Sequence, residues 1–129
     1  MAMAADFVVR HMSRKELSAS DISEGRVYLP TELVQNLGRA DGTERVTVFD
    51  VQMNPSTMNF CRRRDQRAFL GDGWRQFVIE KGFTKDDTVI FYVLRPRGGG
   101  INPTYFQIIR REDEGRAIGQ FDLNRELQF

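Results

Sequence analysis

This chain contains short runs rich in β-branched and aromatic residues, and turn residues separate these runs. The clearest run, residues 45–51, alternates valine with other side chains in the period of two that a strand requires. Further runs occupy residues 7–10, 14–17, 26–29, 57–62, 88–94 and 105–110. Asp41-Gly42, Gly71-Asp72-Gly73 and the glycines at 98–100 supply turn signals. The pattern predicts a mostly β domain of about seven strands.

Two segments have helical spacing instead. Residues 31–38 follow Pro30 and combine a threonine suited to capping, apolar residues at i, i+1 and i+4, and a final glycine. A second helix begins at Asp72 or Gly73 and stops at Gly82. Its bulky side carries Trp74, Phe77 and Val78. We expect this side to be buried in the core.

The predicted strands have to avoid open edges, because such edges invite aggregation. We expect them all to pair antiparallel, with the glycines at 98–100 in a flexible connection between the last two. Two packed sheets or a barrel would meet this requirement, and we favour a small, partly open barrel. Residues 7–111 are expected to form the domain, and residues 112–129 a charged, partly ordered tail.

Length and composition limit the classes of protein to which the chain can belong. Its 129 residues, 40% of them hydrophobic, fit one domain with one core. No apolar run approaches the roughly 20 residues of a membrane span, and residues 1–6 lack the order of a secretory signal. One cysteine and one histidine exclude an internal disulfide and a zinc site built from protein side chains alone. We expect a soluble protein of the cytosol or nucleus without a membrane partner.

The sequence contains no recognisable catalytic constellation. The single histidine, His11, has no nearby pattern that predicts a triad. Asp86 and Asp87 are adjacent, so they point to different sides and favour a turn. The glycines at 98–100 lack the lysine and helix of a phosphate-binding loop, and Cys61 fits a buried, inert thiol in a strand. We expect no enzymatic activity, cofactor, metal or small-molecule substrate.

Positive charge is concentrated in one segment, although the net charge is only +1. In Arg62-Arg63-Arg64-Asp65-Gln66-Arg67, each arginine can bind a phosphate or read a guanine edge, and the glutamine can read adenine. A solvated basic strand or a surface for an acidic protein partner has the same composition. The segment alone leaves these alternatives open.

Three stretches resemble the plant B3 DNA-binding domain family. The first is Leu17-Ser18-Ala19-Ser20-Asp21-Ile22 followed by Arg26-Val27-Tyr28-Leu29-Pro30. The second is similar to the family's Gly-Trp-x-x-Phe-Val stretch and the turn and strand that follow it, and comprises Gly73-Trp74-Arg75-Gln76-Phe77-Val78 and residues 81–91. The third looks like the family's closing strand and is Phe106-Gln107-Ile108-Ile109-Arg110-Arg111. The resemblance implies a seven-stranded open pseudobarrel with two short α-helices. It also implies two arms that grip the major groove of double-stranded DNA, as in transcriptional regulators of the nucleus.

The resemblance also implies the binding residues. It makes residues 20–26 a loop, the first arm, and residues 62–67 the second arm. The implied DNA-binding residues are Ser20, Ser23, Glu24, Arg26, Arg62, Arg63, Arg64, Gln66 and Arg67. Arg26 and the arginines of the second arm can neutralise phosphates, while Arg63, Arg64 and Gln66 can reach base edges.

Departures from the family pattern leave a second function open. Glu24 and Gly25 stand where many members carry lysine or asparagine, and a carboxylate repels phosphates unless it accepts from a cytosine amine. The second arm has arginines in place of a Trp-Asn-Ser phrase, so the target sequence is not inherited. The alternative is a B3-like barrel without productive DNA binding that serves as a protein-interaction module. It is motivated by Glu24, the near-neutral charge and the acidic tail.

The end of the chain has its own resemblance. The stretch Phe121-Asp122-Leu123-Asn124-Arg125-Glu126-Leu127 resembles the plant repression motif, without the proline that often follows. It implies a corepressor contact through Asp122, Leu123 and Asn124. A frayed tail or a closing edge strand is the alternative.

Overall fold

A computed structural model of the chain describes residues 7–37, 42–98 and 104–115. Within these ranges the elements are β1 (Phe7–Glu16), α1 (Ala19–Ser23), β2 (Arg26–Tyr28), α2 (Thr31–Gln35), β3 (Gly42–Phe49), β4 (Pro55–Arg62), β5 (Ala68–Gly71), α3 (Trp74–Lys81), β6 (Thr88–Pro96) and β7 (Tyr105–Arg110). A short 3-10 helix, Arg111–Asp113, follows β7. The repression-like residues Asp122, Leu123 and Asn124 and most of the predicted glycine connection lie outside the described residues.

The described strands form one seven-stranded sheet in the order β1-β6-β7-β3-β4-β5-β2. Neighbouring strands are antiparallel except β3 and β7, which run parallel with Thr47 opposite Tyr105. The expectation of a purely antiparallel sheet is therefore wrong. The direction in which β3 and β7 meet depends on the path of the chain between them, which the residues of the two strands do not encode. The mostly β, seven-stranded open barrel with short helices is confirmed.

The end strands β1 and β2 approach each other across the opening of the barrel. Lys15 in β1 donates from Nζ to the carbonyl oxygen of Tyr28 in β2 at 2.7 Å. The same Nζ donates to Asp21 Oδ1 at 3.1 Å. Because the Asp21 side chain is only 7% exposed, this ion pair is screened less than a surface pair. One lysine thus bridges the opening and fixes β2 relative to α1.

Strand β6 is buried on both faces. Alternate residues contribute to the main core inside the barrel and to a second apolar cluster on the other face of the sheet. The six residues are Val89, Ile90, Phe91, Tyr92, Val93 and Leu94, all with 0% exposure. Strands covered on both faces read as continuous apolar runs, which explains residues 89–94. The bulky side of α3 closes the main core, so the predicted burial of Trp74, Phe77 and Val78 is confirmed.

Three elements differ from the sequence-based predictions. The predicted strands 7–10 and 14–17 form the single strand β1, whose pairing with β6 shifts in register between Val9 and His11. A bulge of this kind lets a strand continue past a local irregularity. The sequence predicts neither α1 nor β5, so the described ranges contain three α-helices rather than two. The elements β2 and α2 are equally short, but Pro30 marks the boundary between them, whereas no proline marks α1 or β5.

The ends of α2 and α3 are set mainly by backbone conformation. Thr31 is the first residue of α2 and Pro30 is its N-cap, without a side-chain hydrogen bond, so the predicted capping by Thr31 is wrong. The predicted left-handed stop at Gly82 is confirmed, with φ 69°. Gly73, which precedes α3, has φ 153°, and a Cβ there would collide with the carbonyl oxygen of Thr57. Only glycine fits this position without strain.

Asp50 follows β3 directly and ties the β3–β4 turn to α3. Its Oδ1 accepts the backbone N–H groups of Gln52 and Asn54 at 2.9 and 2.8 Å, and its Oδ2 accepts Lys81 Nζ at 2.6 Å. Burial acts to raise the pKa of Asp50, but the bonds from Lys81 and the two backbone groups together lower it below its usual value. The carboxylate is therefore charged in the folded protein at neutral pH.

Candidate nucleic-acid interface

The second arm is the hairpin turn that joins β4 to β5. The Arg63 N–H donates to the Arg67 carbonyl oxygen at 2.8 Å, and the Gln66 N–H donates to the Arg63 carbonyl oxygen at 3.0 Å. Gln66 closes the turn in a left-handed conformation with φ 72°, and Asp65 Oδ1 accepts the Arg67 N–H at 3.0 Å. The turn therefore presents Arg63, Arg64, Gln66 and Arg67 as exposed side chains on a hydrogen-bonded backbone.

Arg62 differs from the other arginines of the second arm. It is half-buried because the alternation of β4 places it on the same side as the core residue Phe60. Its Nη1 donates to the Val34 carbonyl oxygen of α2 at 3.4 Å, and its Nη2 donates to Gln66 Oε1 at 2.7 Å. The structure thus gives Arg62 contacts within the fold and leaves the exposed surface of the arm to its neighbours.

The first arm is a short helix followed by a tight turn. Ser18 and Asp21 form a capping box, in which Ser18 Oγ accepts the Asp21 N–H at 3.2 Å and Asp21 Oδ2 accepts the Ser18 N–H at 2.8 Å. Trp74 Nε1 donates to the Asp21 carbonyl oxygen at 2.7 Å, which anchors α1 to the core. The prediction of a loop over residues 20–26 is therefore wrong at α1. The short polar side chains of this segment favour a cap, and tertiary contacts hold the helix.

The predicted residues of the first arm face solvent. Ser20, Ser23, Glu24 and Arg26 are all exposed, and Gly25 between them has φ 75°. Arg75 at the start of α3 lies beside this arm and donates from Nη1 to the Ser23 carbonyl oxygen at 3.3 Å. Sequence reasoning missed Arg75, because the helical pattern around it pointed only to the core.

Tyr28 lies between the two arms and touches both. Arg63 Nη1 donates to Tyr28 Oη at 3.1 Å, and Arg67 Cζ is 4.1 Å from the centre of the Tyr28 ring. From the first arm, Arg26 Cζ lies 5.8 Å from the centre of the Tyr28 ring and 5.4 Å from the centre of the Phe69 ring. Pairing of β2 with β5 places Tyr28 opposite Phe69, and the two rings meet edge-on at 5.4 Å. We call Arg26, Tyr28, Arg63, Arg67 and Phe69 the arginine–aromatic face.

Sequence reasoning missed both aromatic residues of this face. A signal existed for Tyr28, since the alternation in Arg26-Val27-Tyr28 puts Arg26 and Tyr28 on the same side of a strand. For Phe69 no signal existed, because β5 becomes visible only through its pairing with β2 and β4. The structure therefore brings Arg26, Arg63 and Arg67 together, and places Arg64 and Gln66 beyond them at the tip of the second arm.

The charge of the two arms is positive. All exposed residues of the arms fall within the described ranges. They include four arginines but only two carboxylates: Arg26, Arg63, Arg64 and Arg67, and Glu24 and Asp65. Glu24 Oε1 lies 4.0 Å from Arg26 Nη2, and Asp65 Oδ2 lies 3.6 Å from Arg63 Nε. The hydrogen bond to Tyr28 and the charge of Asp65 raise the pKa of Arg63 above its usual value. A positive face with exposed guanidinium groups suits a polyanion.

Other kinds of site find little support in the described part of the chain. Its His, Cys, Asp and Glu side chains form no group of three or more that could hold a metal ion. None of the helices in the described ranges has the length and apolar character needed to cross a membrane. Cys61 is half-buried rather than buried as predicted, and its Sγ accepts from Thr43 Oγ1 at 3.4 Å.

Comparison with known proteins identifies the class. Residues 14–112 match the family described as the B3 DNA binding domain. The chain is therefore a DNA-binding domain and not an enzyme, and it belongs to the B3 family. No curated protein matches it.

Solved structures confirm the fold. A hypothetical protein of Arabidopsis thaliana has a TM-score of 0.59 at 19% sequence identity, over 85% of this chain and 94% of that one. The Arabidopsis FUS3–DNA complex gives a TM-score of 0.57 at 19% identity, over 77% of this chain and 94% of that one. At this identity the likeness establishes the architecture, and the roles of individual residues have to be argued from this chain.

Proposed function

We propose that this domain binds double-stranded DNA sequence-selectively in the major groove and acts as a transcriptional regulator in the nucleus. The observation that carries the proposal is the arginine–aromatic face, where residues of both arms meet around Tyr28. Membership of the B3 family and the DNA-bound FUS3 structure, which shares the fold, support it. A two-stranded hairpin with arginines at its tip also has dimensions that the major groove admits.

The roles of the second arm follow from its exposed groups. Arg63 and Arg64 present guanidinium forks that suit a guanine edge or two phosphate oxygens, and Arg67 is suited to a phosphate beside them. Gln66 is suited to adenine, but its amide oxygen accepts from Arg62 at 2.7 Å in the free domain. Reading adenine therefore requires that this bond break. In the free domain, Arg62 holds Gln66 and α2.

The roles of the first arm divide between attraction and repulsion. Arg26 is suited to a phosphate, and the hydroxyls of Ser20 and Ser23 can donate to phosphate oxygens at the helical end of the arm. Glu24 has a side chain 56% exposed and repels phosphates, unless it accepts from the amine of a cytosine in the groove. The first arm is thus proposed to contribute register and selectivity, and the second arm most of the affinity.

A second candidate function is a protein-interaction module on a B3 barrel. The observation that favours it is the pair of carboxylates, Glu24 and Asp65, that partly neutralise the arms. The two functions differ in their response to salt. Each phosphate neutralised adds about 0.9 to the slope of log affinity against log salt, whereas a protein interface need not show such a slope.

We further propose that residues 7–111 are the DNA-binding unit and that residues 112–129 act separately. The motif-like residues Asp122, Leu123 and Asn124 are proposed to recruit a corepressor. Deleting residues 121–129 should leave DNA affinity unchanged and relieve repression of a reporter that carries the selected site. Repression equal to that of the full chain would contradict the corepressor proposal.

Selection from a random pool of duplexes tests the proposed DNA binding. The purified domain should enrich one motif at near-physiological salt, and the double variant Arg63→Ala/Arg64→Ala should lose the enrichment while remaining folded. The matched control is Arg10→Ala/Arg97→Ala, which removes the same charge from exposed positions outside both arms, near the Phe7–Pro96 end of the β1–β6 pair. It should enrich the same motif as the wild type. A folded wild-type domain that enriches nothing would favour the protein-interaction module.

A further inference from the structure

Tyr28 has an environment that core packing does not explain. It is half-buried on the outer face of β2, and its hydroxyl, its ring face and its backbone carbonyl each have a cationic partner. The partners are Arg63 at the hydroxyl, Arg67 and Arg26 at the ring, and Lys15 at the carbonyl oxygen. One residue of the first half of the chain therefore contacts arginines on both arms.

We propose that Tyr28 is a positioning residue for DNA recognition, which holds Arg63 and Arg67 of the second arm in fixed register with Arg26 of the first. The inference rests on the proposed function and assigns a role within it. Like charges on three neighbouring arginines would drive their side chains apart in a bare cluster. The negative face of the aromatic ring and the hydroxyl oxygen of Tyr28 offset that repulsion and keep the three guanidinium groups together.

The contacts leave the arginines able to bind DNA. A guanidinium group has five N–H donors, and the bond to Tyr28 occupies Arg63 through Nη1. The Arg63 side chain is 48% exposed, so further donors face solvent. Arg67 Cζ lies 4.1 Å from the centre of the ring, and because Arg67 is exposed its guanidinium donors can still reach a phosphate.

Positioning of this kind acts through entropy. A free arginine loses much of its rotamer freedom when it binds a phosphate or a base. Arg63 and Arg67 have already lost part of that freedom in the unbound domain, because Tyr28 holds them. Binding therefore costs less than it would for unrestrained arginines, and the two arms bind as one unit.

Two substitutions separate the contacts of Tyr28. Tyr28→Phe removes only the hydroxyl that holds Arg63 and keeps the ring under Arg67, so we expect DNA affinity about fivefold weaker. Tyr28→Leu removes both contacts, and we expect a loss of about 20-fold. Neither change removes a charge, so the slope of log affinity against log salt should stay the same. The control is Tyr105→Phe, a half-buried tyrosine in the second apolar cluster, which should bind as the wild type.

A double-mutant cycle provides the decisive readout. In an Arg63→Ala background, Tyr28→Phe should have no further effect, because the hydroxyl has lost its partner. In an Arg67→Ala background, Tyr28→Phe should still cost about fivefold. A tyrosine that merely supported the fold would weaken binding equally in both backgrounds and would lower the urea midpoint of unfolding.

The affinities are measured on the duplex selected by the wild-type domain, with all variants checked for folding by circular dichroism. Equal binding by Tyr28→Phe and the wild type overturns the positioning role and leaves the proposed function standing. Tighter binding by Tyr28→Phe also overturns it, since Tyr28 would then withhold Arg63 from DNA. A wild-type domain that binds no duplex overturns the proposed function itself, and the positioning role with it.

Discussion

Replacing Trp74 by phenylalanine should destabilise the domain by about 3 kcal/mol, because one side chain both fills the core and anchors the first arm. Trp74 has no exposed surface, and its ring packs against both Phe77 and Phe83, whose ring centres each lie 6.1 Å away. Its Nε1 donates to the Asp21 carbonyl oxygen in α1 at 2.7 Å. Phenylalanine retains an aromatic ring but has no donor.

The magnitude follows from two losses. Leaving the buried Asp21 carbonyl oxygen without the indole donor costs about 1–3 kcal/mol. The smaller ring leaves part of the indole volume unfilled, which adds about 1 kcal/mol. Trp74→Ala enlarges the cavity and should cost about 3–5 kcal/mol from packing alone.

Urea unfolding followed by far-ultraviolet circular dichroism measures these changes, since Trp74 is the only tryptophan and fluorescence would not compare variant with wild type. The control is Ile79→Ala on the same helix, where the side chain is 65% exposed and the change should stay within about 0.5 kcal/mol. A loss below about 1 kcal/mol for Trp74→Phe would refute the reasoning that the indole hydrogen bond stabilises α1.

Three further predictions concern single positions. Gly73→Ala should cost about 3 kcal/mol, since the new Cβ meets the Thr57 carbonyl oxygen at a positive φ; a urea midpoint equal to the wild type would contradict this. The folded pKa of Asp50 lies below its unfolded value, so its stabilisation is present above about pH 4 and is lost as the pH falls through the folded pKa. Asp50→Asn should therefore lower the free energy of unfolding by about 2 kcal/mol at pH 7, and the variant should lose less stability on acidification than the wild type. Urea unfolding across pH measures both effects, and parallel pH profiles of variant and wild type would argue against the Lys81–Asp50 pair. Glu24→Gln should tighten binding to non-specific duplexes about threefold by removing a repulsive charge; weaker binding confined to sites with one particular cytosine would instead assign Glu24 to base reading.

Local patterns were sufficient for much of the fold. The alternation in β3, the apolar run of β6 and the Trp74 side of α3 are encoded by neighbouring residues, and the structure confirms them. The parallel pairing of β3 with β7 and the four-residue strand β5 depend on partners distant in sequence. Helix α1 is a different case, because its signal, the Ser18-x-x-Asp21 capping box, is present in the sequence but precedes a helix of only five residues.

The candidate site also combines features that neighbouring residues encode with contacts between residues distant in sequence. The arginines of the second arm are close in sequence, so the sequence shows the cluster of positive charge, and the family resemblance is what implies a role for it in DNA binding. The contact of Tyr28 with Arg63 joins residues 35 positions apart, and it exists because β5 pairs with both β2 and β4. The sequence therefore shows the cluster of arginines, but it does not show that Tyr28 contacts two of them.

The salt dependence of DNA affinity tests the central claim most directly. We predict that the wild-type domain binds its selected duplex with a slope of log affinity against log salt of about −2 or steeper. Arg63→Ala/Arg64→Ala should make the slope shallower by about 1 to 2, and Arg10→Ala/Arg97→Ala should leave it unchanged. A slope near zero for the folded wild type, or the same slope for all three proteins, would contradict DNA binding through the arginine arms.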